Sequence, residues 1–214
     1  MSSPSSISLC ELPLFPLPDV VLFPGRPLPL HIFEDRYRLM INTVLEGDRK
    51  FGVLLWNPTI SKSVNVGCAT EIGEVIKLKD GRMNIMTVGL QRFRIVEIVK
   101  QLPYLVGKVE WLDDSKPDAD TLAAGDQVDR SLREVVRLAN KLTNKENIIP
   151  DDLPSDPMQL SFWVASLFFN SSDDRQELLE LCDTSARLKK ELDLLNTLKG
   201  ELAARAAIED AFRT

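Results

Sequence analysis

Residues Glu11 to Phe33 read ELPLFPLPDVVLFPGRPLPLHIF, and six of the chain's 13 prolines (Pro13, Pro16, Pro18, Pro24, Pro27, Pro29) sit there among Leu, Val and Phe. A run this apolar demands burial. Each proline, however, deletes a backbone donor and fixes φ, which rules out a helix interior or a central strand. The residue before each proline is pushed toward extended geometry as well. The stretch therefore predicts three short extended pieces, Leu12 to Leu17, Val20 to Phe23 and Leu28 to Ile32, placed at sheet edges and joined by tight turns. Pro24-Gly25 suits the two central positions of a type II turn, with glycine supplying the positive φ. Such a ribbon has two uses: a rigid apolar edge packed on a sheet, or an edge left partly open to an extended peptide.

Working outward, EDRYRLMINTVLEGD places Phe33, Tyr37, Met40, Ile41, Val44 and Leu45 at helical spacing. Glu34 and Asp35 fall in the first turn, where the helix dipole favours acids, and Gly47 is the expected stop. From Lys50 to Leu112 the period changes to that of strands. FGVLLWNP (Phe51 to Pro58) and VGCATEIGEVIKL (Val66 to Leu78) are β-rich, and Gly67 and Gly73 mark bulges or close approaches. Asp80-Gly81 signals a hairpin. MNIMTVGLQRFRIVEIV then alternates, and YLVGKVEWL (Tyr104 to Leu112) adds another strand. Short strands with glycine at the bends read as a small curled sheet or barrel with one helix inserted near its start.

Asp113 to Asp120 is charged, lacks large apolar residues and marks a boundary; beyond it the pattern is helical. Thr121 to Leu142 is amphipathic, and Lys145 to Asp156 is a loop holding Pro150 and Pro154. Pro157 opens a helix capped by Ser155 or Asp156. Phe162 to Phe169 is apolar all round, as the centre of a bundle would be. Asp173-Asp174 opens a short helix, and Thr184 or Ser185 starts the last. There Leu181, Leu188, Leu195 and Leu202 recur every seven residues, but Glu191 and Arg205 spoil the second core position, which favours packing within the chain over a zipper.

Composition narrows the function. The net charge is -6. Residues 1–112 carry 13 Lys+Arg and 11 Asp+Glu; subtracting these from the totals of 26 and 32 leaves 13 and 21 for residues 113–214. The acidity belongs to the second half, and the balance argues against a general nucleic-acid binder. The cysteines Cys10, Cys68 and Cys182 match no metal spacing and form no even framework, which indicates a reducing compartment. MSSPSSISL has no basic region or long apolar core, and no run is long enough to span a bilayer, so a cytoplasmic protein is expected. Gly47 to Gly52 continues as Val-Leu rather than Lys-Ser/Thr, so there is no phosphate-binding loop. The single histidine, His31, cannot build a His-based metal site and reads as a structural hydrogen-bonder. Cys68 reads as a small buried hydrophobe. Lys77, Lys79, Arg82, Arg92 and Arg94 read as a solvated strand face balanced by Glu71, Glu74 and Glu97, or alternatively as a basic strip.

LPLFPLPDVVLFPG (Leu12 to Gly25), LPLHIFEDRYR (Leu28 to Arg38), FGVLL (Phe51 to Leu55), VGLQRFRI (Val88 to Ile95) and PYLVGKVEWLDD (Pro103 to Asp114) together resemble the N-terminal substrate-binding domain of the Lon ATP-dependent protease. The resemblance implies an α+β fold: a PUA-like pseudobarrel over residues 9–114 with one inserted helix, then a helical bundle over 121–214. Lon continues into ATPase and Ser-Lys protease modules, and this chain ends at Thr214, so a free-standing bacterial form is expected, without proteolysis, ATP hydrolysis or a cofactor. What the resemblance implies instead is recognition of exposed or unfolded polypeptide, in protein quality control or as an adaptor. An apolar edge beside an unpaired strand can add an extended peptide by main-chain pairing. The expected contacts are Phe15, Phe23, Pro24, His31, Phe33 and Trp56, with Glu34 and Arg36 at the rim. Two other classes stay open: a PUA-like RNA binder, and a scaffold docking a protein partner through its acidic helices. No membrane is implied, and the protein is expected to be a monomer or a weak dimer.

Overall fold

The computed structural model describes residues 9–57, 62–143, 153–167 and 172–212. In chain order its elements are β1 (Leu9–Pro18), β2 (Pro27–Ile32), α1 (Asp35–Glu46), β3 (Lys50–Asn57), β4 (Lys62–Ser63), β5 (Val66–Lys77), β6 (Met83–Lys100), β7 (Leu105–Leu112), α2 (Ala119–Thr143), α3 (Pro157–Ala165), α4 (Ser172–Glu180) and α5 (Thr184–Phe212). The fold is α+β. It divides into two compact units, Met1–Asp113 with Ser166–Glu180, and Asp114–Ala165 with Leu181–Thr214. The chain passes from one unit to the other after Asp113, within the charged stretch, and α4 belongs with the strands.

In the first unit the strands run β1-β7-β6-β5-β3, and parallel pairing of β1 with β3 closes the ring into a small barrel. The 18-residue β6 is its spine. Its first half pairs with β2 from Met83 to Val88, and its second half pairs with β7 from Arg92 to Lys100. The handover falls at Gly89, whose N–H donates to Arg26 O at 2.9 Å and whose carbonyl accepts from Gly25 N at 2.8 Å. A Cβ there would lie 2.2 Å from the Phe23 carbonyl oxygen, so the turn can approach only a glycine. Gly67 is likewise a close-approach position, since a Cβ would lie 2.3 Å from Val53 O.

The prolines obey the donor argument. β1 pairs antiparallel with β7 from Leu9 to Leu14, then switches to parallel pairing with β3 from Leu14 to Pro18. β2 pairs only with β6 among the described residues. Pro24-Gly25 makes the expected turn, with Gly25 at φ 73 and Arg26 N donating to Phe23 O at 3.2 Å. Val20 to Phe23 is not a strand: Leu22 and Phe23 are buried in an irregular connection. Side-chain burial, rather than strand pairing, holds this piece.

One core lies under α1, where Tyr37, Met40, Ile41 and Val44 pack with Phe15, Ile32, Phe51 and Ile85. Burying such side chains contributes roughly 1.5–3 kcal/mol each. A second core, of Leu12, Leu14, Leu54, Ala69, Phe93 and Val109, fills the barrel. Gly47 ends α1 by donating to Val44 O, but it is Arg49 that takes the left-handed conformation, at φ 63. Arg49 also donates to the Ile72 and Gly73 carbonyls across the bulge in β5. Cys68 is fully buried, and burial pushes its thiol up to about 12.

In the second unit α2, α3 and α5 pack on one another. Asp156 caps α3 by accepting from Gln159 N at 2.9 Å. Asp183, rather than Thr184 or Ser185, caps α5 by accepting from Ala186 N at 3.0 Å; Thr184 instead donates its hydroxyl to Asp114 at 2.5 Å. Leu188 and Leu195 are buried in this unit. Most of the loop expected over Lys145 to Asp156 lies outside the described residues. No helix among the described residues is long and apolar enough to cross a membrane.

Candidate functional site

Where β1 leaves β7 for β3, one side of Phe15 to Pro18 has no strand beside it among the described residues. A groove of about 890 Å³ opens there, lined wholly by residues of the first unit. One wall is β1 with Trp56 at the end of β3. The second is the end of β2 and the start of α1, from Leu30 to Tyr37. The third is the connection between β6 and β7, Gln101 to Leu105. Aromatic rings dominate the lining: Phe15, Phe33, Tyr37, Trp56 and Tyr104, with His31 beside them.

These rings are held in place by different means. Phe15 is buried, its ring centroid 4.1 Å from that of Tyr37 and 6.2 Å from that of Phe51, so it forms a fixed base. Phe33 is 60% exposed and stacks on His31 with centroids 6.1 Å apart. His31 Nδ1 donates to Asn84 Oδ1 at 2.6 Å, which fixes the imidazole on the neighbouring strand. Leu102, 80% exposed, stands on the third wall. Arg36 pairs with Glu34 at 2.8 Å and lies 4.5 Å over the Tyr37 ring, and Lys100 lies 5.1 Å over Tyr104. Each tyrosine of the groove thus has a cation over one face of its ring.

Three polar tips in this lining lack an acceptor. Trp56 Nε1, Tyr37 Oη and Tyr104 Oη make no hydrogen bond with the described residues, and none is among the buried atoms left unpartnered. Burial raises the Tyr37 phenol above its ordinary value, against the opposing charge of Arg36, so the group stays a donor.

Of the contacts expected from sequence, Phe15, His31, Phe33, Glu34, Arg36 and Trp56 come together around the groove. Phe23 and Pro24 do not. Phe23 is 1% exposed and its backbone carbonyl faces Gly89, so it cannot meet a ligand without unpacking the turn. Sequence reasoning missed Leu102 and Pro103 as well as Tyr104, read only as the first residue of a strand, and Tyr37, read only as part of a helix's apolar spacing. Their spacing in the chain carries no signal that the β6–β7 connection borders the site.

The basic strip does not assemble. Arg92 is buried and donates to Leu179 O of α4 at 2.7 Å, Arg94 pairs with Glu110 at 2.9 Å, and Arg82 pairs with Asp80 at 2.7 Å. Arg92 corrects the reading of a solvated face: its strand position is covered by a helix remote in sequence. No group of three or more His, Cys, Asp or Glu residues is arranged for a metal among the described residues.

With this geometry in view, comparison with known proteins is decisive. Residues 11–197 match the family model of the ATP-dependent protease La (LON) substrate-binding domain. This chain belongs to that family. Over 210 residues it is 30% identical to the Lon protease of Trichlorobacter lovleyi and 27% identical to Lon protease 2 of Myxococcus xanthus. Those alignments cover 94% of this chain but only 26% and 25% of the relatives, so the chain spans about a quarter of their length. Among solved structures, the Lon N-terminal domain protein from Xanthomonas campestris superposes with a TM-score of 0.65 at 24% identity, covering 86% of this chain and 98% of that one. The N-terminal domain of the Mycobacterium avium complex Lon protease gives 0.68 at 17%, covering 87% and 98%. At these identities the superpositions speak for the fold.

Proposed function

We propose that this member of the Lon substrate-binding family is a non-catalytic binding module that takes exposed or unfolded polypeptide segments into the groove beside β1. It works in quality control or as an adaptor, in the cytoplasm. The observation that carries the reading is the groove itself: about 890 Å³, walled by aromatic and proline side chains. A volume of that order accommodates one or two large apolar side chains with their backbone. Phe15 and Tyr37 supply a fixed floor, while Phe33 and Leu102 stand exposed at the sides, ready to cover an incoming residue. Folded proteins bury such residues, so the groove selects chains that expose them. The Arg36–Glu34 pair at the rim is exposed and adds little affinity.

The test is a fluorescence-anisotropy titration of the full chain with a labelled, permanently unfolded polypeptide. Trp56→Ala and Phe33→Asp should each weaken binding by about tenfold or more, as loss of an interface aromatic does. Leu122→Ser, on the exposed side of α2 in the other unit, should leave it unchanged. If unfolded polypeptide binds with the same affinity to all four proteins, the groove is not the site. Arg92 is buried against the Leu179 carbonyl, and Arg82 and Arg94 each pair with an acid, so these arginines do not favour the RNA-binding alternative.

A further inference from the structure

We infer that the groove's ligand is a proline-containing stretch of polypeptide in the polyproline conformation, and not a β-strand added to the sheet. This rests on the peptide-binding reading above and concerns which peptides bind. The argument is an accounting of donors and acceptors.

The free edges of the two strands that run into the groove, β2 and β1, are short of donors. Arg26 O accepts from Gly89 N, so Arg26 faces β6. In a strand, hydrogen-bonding direction alternates from residue to residue. Continuing the register Pro27↔Val88, Leu28↔Thr87, Pro29↔Met86, the residues Leu28, Leu30 and Ile32 also face β6. Pro27, Pro29 and His31 therefore turn to the unpaired side, and of these only His31 has an N–H. In β1, Pro16 and Pro18 are also two apart and delete the donors of one side of the segment that has left β7. A strand added to either edge would bring carbonyls that find almost no N–H to meet. Each unmet carbonyl would give up its water without a partner in exchange, which opposes binding.

The side chains, in contrast, are rich in donors. Trp56 Nε1–H, Tyr37 Oη–H and Tyr104 Oη–H line the same groove without an acceptor among the described residues. The matching ligand presents carbonyls, needs no ladder of N–H pairs and offers flat apolar faces to aromatic rings. A polyproline helix has these properties. It has no internal hydrogen bonds, its carbonyls point outward, and its imide nitrogens carry no hydrogen to leave unpaired. It is also pre-ordered, so less conformational entropy is lost on docking. Proline-rich segments are recognised in aromatic-lined grooves for the same reasons.

The experiment titrates the full chain with two labelled peptides of equal length and identical glutamate flanks, one repeating Pro-Pro-Leu and one repeating Ala-Val-Leu. The proline peptide should bind about tenfold more tightly, or 1.4 kcal/mol. Tyr104→Phe, which removes one hydroxyl and leaves the ring, should weaken the proline peptide about fivefold and the other peptide hardly at all; circular dichroism checks its folding. Equal or tighter binding of the Ala-Val-Leu peptide overturns the polyproline inference while leaving peptide recognition standing. Binding of neither peptide, nor of an unfolded polypeptide, removes both. Equal loss of both peptides in Tyr104→Phe overturns the donor account.

Discussion

Glu191 is the residue whose chemistry is least suited to its place. It lies on α5 one turn beyond Arg187, fully buried, and neither carboxylate oxygen has a hydrogen-bond partner among the described residues. Arg187 is already satisfied: it is bonded to Asp114, donates to Leu181 O at 2.7 Å and to Ser161 Oγ at 2.8 Å, and lies 4.1 Å over the Phe162 ring. Burial therefore outweighs the attraction of Arg187, and the Glu191 carboxyl is held well above the usual carboxylate range. The native state then binds a proton that the unfolded chain gives up at about pH 4.3. Stability falls as pH rises from there toward the raised native value. Glu191→Gln keeps the shape and removes the titration, so it should raise the melting temperature at pH 7 by several degrees, as about 1–2 kcal/mol does in a chain of this size. Near pH 4, where the wild-type group is protonated in both states, the advantage should shrink to almost nothing. Melts of the two proteins at both pH values decide it, and a gain of the same size at pH 4 and pH 7 would rule out the titration. Of this arrangement the sequence shows only an acid in a leucine stripe. Asp114 and Arg187 are 73 positions apart, and no local pattern announces their pairing.

At the scale of elements, what was legible is what a residue imposes on its own backbone. Prolines left β2 paired on one side only among the described residues and β1 paired along most of its length on one side at a time, and Pro24-Gly25 placed a turn, because a missing donor or a positive φ acts before any partner is chosen. α1 and its buried face followed from helical spacing, and the alternation in β6 separated buried Ile85 and Thr87 from exposed Met86 and Val88. The groove was legible only in part. Phe15, His31, Phe33 and Trp56 belong to blocks of aromatic and proline residues, whereas Tyr104 and Leu102 join them through the tertiary path of the β6–β7 connection. Val20 to Phe23 misled because an apolar run reads as a strand whether its backbone is paired or its side chains are merely buried. Gly89 tests the handover in β6. In Gly89→Ala the added methyl meets the Phe23 carbonyl at 2.2 Å and the Cys68 sulfur at 3.3 Å. The Phe23–Arg26 turn must then lift from the sheet, at a cost of about 1–3 kcal/mol, typical of overpacking. Urea denaturation should show a lower midpoint with an unchanged slope. An unchanged midpoint would mean that the turn yields freely.

At the scale of the whole molecule, the boundary in the sequence and the boundary in the structure differ by one helix. The charged stretch after Leu112 marks where the chain leaves the barrel, yet the β unit is completed by Ser166–Glu180, more than 50 residues later. α4 buries Leu178 and Leu179 and accepts the Arg92 guanidinium on the Leu179 carbonyl. It also sends Gln176 Nε2 to Val66 O at 3.0 Å and Arg175 to Asp19 O at 2.9 Å. A fragment ending at Asp114 retains every strand but takes all of this away. Breaking the partnership of a buried charge costs roughly 3–5 kcal/mol, and withdrawing buried leucines adds several more. Those amounts match the whole stability of an ordinary domain, about 5–15 kcal/mol. The fragment should therefore keep much of its far-ultraviolet β signal while losing a cooperative thermal transition and binding a hydrophobic dye. The single change Leu179→Ala in the full chain should move the same way by about 2–5 kcal/mol. A fragment that melts cooperatively near the temperature of the intact protein would show that the barrel is complete without α4, and that the sequence boundary was the true one.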